Sequence, residues 1–268
     1  MMNKQNIKED FQKFLEDKGI TSGDFIKEII NNDLETFKEL TKWTDDDFKY
    51  FNDLLYNAEN INLNNKNTTT RDIGDILEDL VCFIFKKSYF FEVVKNVRTK
   101  TNEIDQVIRL SKRGQQALSR INLNRDLLVI PEDVILGECK NYKDNIGVTW
   151  FGKFYAVLKN CNCNFGIIFS LKKATGNFDN WSDSYGLLRS IALIEKYRHN
   201  NNFYILDFGL SDFKRIGNGE SIFDIINAKM DSIKFGTDYD NLLNKYNSLL
   251  DDDSQVVIDS FSQARKNI

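Results

Sequence analysis

Val134-Ile135-Leu136-Gly137-Glu138-Cys139-Lys140-Asn141-Tyr142 is the stretch on which the reading of this chain turns. A near-continuous apolar run of this length belongs to a strand buried on both faces, the kind found in sheets covered by helices. The run ends in Glu138 and Lys140, two residues apart and therefore on one face of the strand. Ionised groups are rarely buried without a partner or a task. That strand end is the first place to look for chemistry.

Two upstream segments answer it. Asn102-Glu103-Ile104-Asp105-Gln106-Val107-Ile108 reads as a strand with Glu103 and Asp105 on one face. Gly74-Asp75-Ile76-Leu77-Glu78-Asp79-Leu80 lies in a helix predicted over about 71–87, with the apolar stripe Ile73, Leu77, Leu80, Val81 and Ile84. At about 100° per residue, Glu78 falls at the edge of that stripe beside Val81 and Phe85. Asp79 groups instead with Asp72, Asp75 and Lys86 on the polar face. Glu78 is therefore placed to enter a cleft beside the core, and Asp79 to be solvated.

Around these segments the texture divides the chain in two. From Ile7 to about Ile61 the apolar spacing is helical throughout, with breaks at Gly19–Gly23, Asn31–Asp33 and Thr41–Asp46 separating about four helices. The polar tract Asn62 to Thr70 reads as a linker, so the predicted organisation is a helical domain over 1–66 and an α/β domain over 67–268. Within the second, strands are predicted at Phe90–Val94, Ile104–Leu110, Leu127–Ile130, Val134–Cys139, Phe165–Ser170 and Phe203–Phe208. Helices are predicted at about Val148–Leu158, Ser182–Tyr197, Ser221–Ile233 and Asp238–Leu250, with a frayed tail after them. Strands alternating with helices predict an α/β fold, a mixed central sheet flanked by helices, preceded by a small all-α unit.

Composition narrows the chemistry. The 268 residues hold a single histidine, His199, which argues against Ser-His-Asp or His-rich metal chemistry and leaves carboxylates and lysine. No run of about 18 apolar residues would span a membrane. Four unpatterned cysteines and a start without an apolar signal-like segment predict reduced thiols in a cytoplasmic protein. The net charge of −4 is split: residues 1–70 carry −5, residues 71–200 carry +5 and residues 201–268 carry −4. A basic middle is compatible with a polyanion bound on one face, although on charge alone uneven surface charge is the favoured reading.

Taken singly, each acidic residue is bland: a helix Glu is usually solvated, and a Glu/Lys pair is usually a surface ion pair. Together they can do one kind of work. Carboxylates that face each other repel unless a hard divalent cation lies between them, and oxygen donors suit Mg²⁺ or Mn²⁺. A cation so held can clamp a phosphate oxygen, with a nearby lysine opposing the developing negative charge.

The order Glu78 on a leading helix, Glu103-Ile104-Asp105, then Glu138-Cys139-Lys140 resembles the PD-(D/E)xK nuclease superfamily, with its restriction-endonuclease-like fold. The stretch from Leu136 to Gly176, including Asn164-Phe165-Gly166-Ile167-Ile168-Phe169-Ser170, is most similar to the Mrr-type restriction endonucleases. The resemblance covers roughly residues 71–210. It implies a Mg²⁺-dependent DNA endonuclease (Mn²⁺ substituting) in restriction or anti-phage defence. It also implies Asp105 and Glu138 as metal ligands with the Cys139 carbonyl as a third, Lys140 as the catalytic lysine, and Glu78 as the helix carboxylate that completes or orders the site. Ile104 stands where the family name has Pro, the interval from Asp105 to Glu138 is long, and no Gln follows Lys140 on the next helix. A repair or recombination nuclease, and a non-catalytic nucleic-acid-binding module on the same fold, remain alternative readings.

Secondary expectations follow. Ser111 to Asp126 reads as a polar insertion in which Lys112, Arg113, Arg120 and Arg125 face one acid, either a mobile basic loop beside the cleft suited to phosphate contacts or, equally, a solvated excursion. Lys153, Lys172 and Lys173 are expected to flank the cleft. Trp150, Phe151 and Phe154 are expected in helix core. Duplex DNA is the expected partner; a homodimer is expected for double-strand cutting, and a partner protein could dock on the N-terminal helices. Asp207-Phe208-Gly209 has no accompanying kinase motifs and is read as chance.

Overall fold

In the computed structural model of the chain, residues 13–15, 17–19, 21–64, 70–98, 103–120, 123–142, 144–177 and 182–236 are described. The expected helix over 238–250 and the tail after it lie outside the described residues.

Among the described residues the sheet has five strands in sequence order: β1 (Phe91–Arg98), β2 (Glu103–Leu110), β3 (Val134–Cys139), β4 (Phe165–Phe169) and β5 (Tyr204–Phe208). β1, β2 and β3 pair antiparallel, whereas β3, β4 and β5 pair parallel. Parallel pairs need long crossovers; α5 (Val148–Asn160) and α6 (Asp183–His199) supply them. Further helices among the described residues are α1 (Ser22–Thr41), α2 (Asp45–Asn64), α3 (Thr70–Lys87), α4 (Lys112–Arg120), α7 (Leu210–Gly217) and α8 (Ile222–Phe235). The expected α/β class, a mixed central sheet flanked by helices, is what the chain forms.

Strand pleating sorts adjacent apolar residues into two layers. Ile135, Ile167 and Leu206 join Leu77, Leu80, Val81 and Phe85 of α3 and the apolar faces of α7 and α8. Their neighbours Leu136, Ile168 and Ile205 join Phe151, Phe154 and Leu158 of α5 and Leu188 and Ile191 of α6. Alternation with both faces covered is why these strands read as continuous apolar runs rather than as every-other-residue patterns. From the N-terminal helices, Phe37, Phe51 and Leu55 are buried in the first of these layers. Trp43 packs edge-on against Phe51 and Phe83, and the Lys87 ammonium lies 2.5 Å from Asp47.

Three expectations of local structure are corrected. α1 runs through Asn31-Asn32-Asp33, where a break is predicted. Weak helix formers cost at most about 0.7 kcal/mol each, and the turns beyond them carry the buried Phe37. The insertion after Ser111 is not a loop: α4 forms, its Gly114 N–H accepted by Ser111 Oγ at 3.0 Å and its Ala117 buried. Leu127–Ile130 is not a strand, since a 3-10 turn over Arg125–Leu128 opens on Asn124, whose side chain accepts from Asp126 N–H. Leu128 at the end of that turn and Ile130 just past it are fully buried in the core, which accounts for an apolar run that reads like a strand.

A helix for which the sequence carries no expectation also forms, α7. Asp212 opens it by accepting Gly209 N–H at 2.7 Å, and the buried Lys229 ammonium of α8 lies 3.1 Å from the same carboxylate. A buried acid is thus matched by both a hydrogen bond and a charge.

A carboxylate and lysine cluster at the splayed ends of β2 and β3

β2 and β3 pair from Arg109↔Val134 to Gln106↔Gly137 and then part. One step further the register brings Asp105 opposite Glu138, both half-buried. Where the ladder stops, a side chain takes over: Cys139 N–H donates to Asp105 Oδ2 at 2.8 Å. Lys140 leaves β3 with its N–H bonded to Phe169 O of β4 at 2.8 Å. Its ammonium lies 2.5 Å from Glu138 Oε1 and 3.5 Å from Asp105 Oδ2. One lysine therefore bridges the two carboxylates.

Glu78 approaches from α3. Its main-chain carbonyl accepts from the fully buried Gln106 amide at 2.8 Å, which ties the helix to the residue following Asp105. Glu78 is 8% exposed, and Lys95 of β1 lies 3.5 Å from its Oε2 and 2.7 Å from Asp79 Oδ1. Asp79 stays on the surface, as its place on the polar face predicts.

The electrostatics are those of acids crowded out of water. Burial raises the Glu78 carboxyl above its ordinary value, with Lys95 opposing and Asp105 adding. Burial likewise raises Glu138, with Asp105 adding and Lys140 opposing. Burial pulls the Lys140 ammonium down, but Glu138 and Asp105 outweigh it and the net direction is up, so the lysine is held charged. Burial pushes the Cys139 thiol well up. Cys139 thus offers main-chain groups here and not a thiolate.

Among the described residues, no three or more His, Cys, Asp or Glu side chains form a metal-holding group. Two carboxylates and a main-chain carbonyl nevertheless fit a hard cation of the Mg²⁺ type, which keeps several waters and takes one or two protein carboxylates. An N–H and C=O of one extended residue point to the same side, so the Cys139 carbonyl lies on the Asp105 side of its strand.

The expected basic residues separate into two groups. Lys140 and Lys153 stand 5.1 and 4.9 Å from the centre of the Trp150 ring, which also packs against Tyr142. Lys172 and Lys173 are exposed just past β4, at the sheet end where β3 delivers Lys140. The four residues of the former insertion go elsewhere. α4 starts beyond Leu110, five residues along β2 from Asp105, or about 17 Å. There Arg113 donates to Tyr89 O and stacks on the Tyr89 ring, and Arg125 is paired with Asp133. Lys112 and Arg120 are exposed on the same helix. The structure does not bring these four to the carboxylate cluster.

Phe151 and Phe154 are buried as expected, whereas Trp150 is half-buried and carries two lysines. Lys95 is a site residue that carries no mark in the sequence, because its proximity to Glu78 depends on the β1–β2 register.

No family model matches the chain, and no curated protein matches it. Among solved structures, the DNA modification-dependent restriction endonuclease AspBHI aligns with 75% of this chain and 43% of its own length, at 10% identity and a TM-score of 0.33. The chain therefore spans less than half of that enzyme. A likeness at this level carries no argument about the site, which rests on its own geometry. Fold and cluster together define an α/β protein with paired carboxylates and a lysine at the C-terminal end of a central strand. None of its described helices is long and apolar enough to cross a membrane.

Proposed function

We propose that this chain is a metal-dependent nuclease that hydrolyses phosphodiester bonds in duplex DNA. The observation that carries the reading is Lys140 held between Asp105 and Glu138 where β2 and β3 part. Asp105, Glu138 and the Cys139 carbonyl would hold Mg²⁺, or Mn²⁺ in its place. Bound there, the cation supplies positive charge against the scissile phosphate and makes a neighbouring water more acidic. Lys140 meets the negative charge that builds on the phosphate oxygens while a water oxygen replaces an ester oxygen at phosphorus. Glu78, fixed by Gln106 and Lys95, orders the acidic side of the site. Lys153, Lys172 and Lys173 supply contacts to flanking phosphates. The resemblance of the motif to Mrr-type enzymes extends the reading to restriction of foreign DNA, where cutting both strands calls for two copies of the chain.

The test is incubation of the protein with plasmid DNA, phage DNA and RNA in Mg²⁺, in Mn²⁺ and in chelator. The reading expects DNA cleavage with either metal and none in chelator. Salt-sensitive DNA binding without cleavage in either metal would favour a binding module instead.

A further inference from the structure

Asn96 lies near the end of β1 with φ at 54°, a left-handed main chain inside a strand. Asn is one of the few residues that tolerates this conformation. The pairs Lys95↔Gln106 and Val97↔Ile104 flank it, and the ladder skips the pair between them, Asn96 and Asp105. On the other side, pairing of β2 with β3 also stops short of Asp105. Asp105 is thus released from regular pairing on both sides, and its carboxylate accepts from Cys139 N–H instead. Asn96 also lines a cleft of about 430 Å³ with Gly74, Asp75, Glu78, Arg98 and Glu103. Its neighbour Lys95 is the residue that reaches Glu78.

We infer that Asn96 is a positioning residue: its left-handed main chain opens the β1–β2 ladder opposite Asp105 and so fixes the Asp105 carboxylate against Cys139 N–H and Lys140. An extended residue at 96 closes the ladder, draws Asp105 into line with Gln106 and turns its carboxylate away from β3. Backbone held in a sparsely populated region persists only where the surroundings impose it, and such residues cluster at working sites. The consequence for cleavage rests on the nuclease reading of Asp105; the positioning itself does not.

The experiment compares Asn96→Gly, which adopts a positive φ freely, with Asn96→Val, which resists it. Asn96→Ala takes the place of the valine variant if melting curves show that the latter does not fold. Two quantities are read in each: amide hydrogen exchange at Cys139 by NMR, and single-turnover cleavage of plasmid DNA in Mg²⁺. The valine variant is expected to exchange the Cys139 amide at least tenfold faster than wild type and to cleave about a hundredfold more slowly. The glycine variant is expected to restore most of both. If wild type cleaves nothing but the Cys139 amide responds as described, the nuclease reading falls and the positioning stands. An unaltered Cys139 amide in the valine or alanine variant overturns the positioning, whatever happens to cleavage.

Discussion

The N–H of Cys139 donates to Asp105 Oδ2 across 2.8 Å, just past the point where β2 and β3 stop pairing. A side chain here replaces the main-chain ladder, and that substitution holds two strands together while their carboxylates face the same lysine. The consequences of the arrangement can be measured residue by residue.

Asp105→Asn and Glu138→Gln each remove one charge from the proposed metal-holding pair. Each is expected to lower single-turnover cleavage by at least about a hundredfold, the scale of losing one preorganised electrostatic group. DNA affinity measured by anisotropy in chelator is expected to hold or rise, since a negative charge has left the cleft. Wild-type cleavage by either variant would show that its carboxylate does not serve the reaction.

Glu78→Gln sets activity against stability. Burial raises the folded-state pKa of Glu78 above its ordinary 4.5, so the native state binds more protons than the unfolded state between those two values. Stability therefore falls as pH rises through that window and stays lowered above it. A glutamine imitates the protonated form. Urea unfolding is expected to find the variant more stable than wild type at pH 7, the difference closing by about pH 4, while cleavage drops. Equal midpoints at both pH values would mean that the ionised Glu78 costs nothing in the fold.

Lys153, Lys172 and Lys173 lie at the sheet end that presents Lys140, whereas Lys112 and Arg120 lie on α4 at the other end of β2. Alanine at each of the first three is expected to weaken DNA binding and to reduce the slope of log affinity against log salt by about one. Alanine at Lys112 or Arg120 is expected to leave the slope unaltered. The reverse pattern, seen in a salt titration of anisotropy, would place the nucleic acid on α4 instead.

Much of the cluster was legible in the sequence because strand and helix periods already assign faces. The apolar run before Glu138 and the alternation around Asp105 place both acids on strands, and the stripe around Leu77 places Glu78 at the edge of a buried face. What stayed hidden depends on distant partners. α4 buries only Gly114 and Ala117, too little to show a period. Leu128 and Ile130 are apolar because both are fully buried in and just after a 3-10 turn, a burial that reads like a strand in the sequence. Lys95 and Asn96 acquire meaning only through the register that sets them beside Gln106 and Asp105. The N-terminal helices show their own amphipathic pattern, but not that Phe37 and Phe51 are buried with α3 and α8.

Lys140 is the one side chain that reaches both Asp105 and Glu138 among the described contacts. The direct measurement is single-turnover cleavage of a plasmid and phage DNA panel in Mg²⁺ by wild type beside Lys140→Ala, with melting curves and DNA binding in chelator recorded for both. Cleavage by wild type is expected, with a loss of about a hundredfold or more in the variant and DNA binding and folding retained. Cleavage by Lys140→Ala at the wild-type rate would contradict the proposed role of Lys140, because the lysine between Asp105 and Glu138 would then have no part in the reaction.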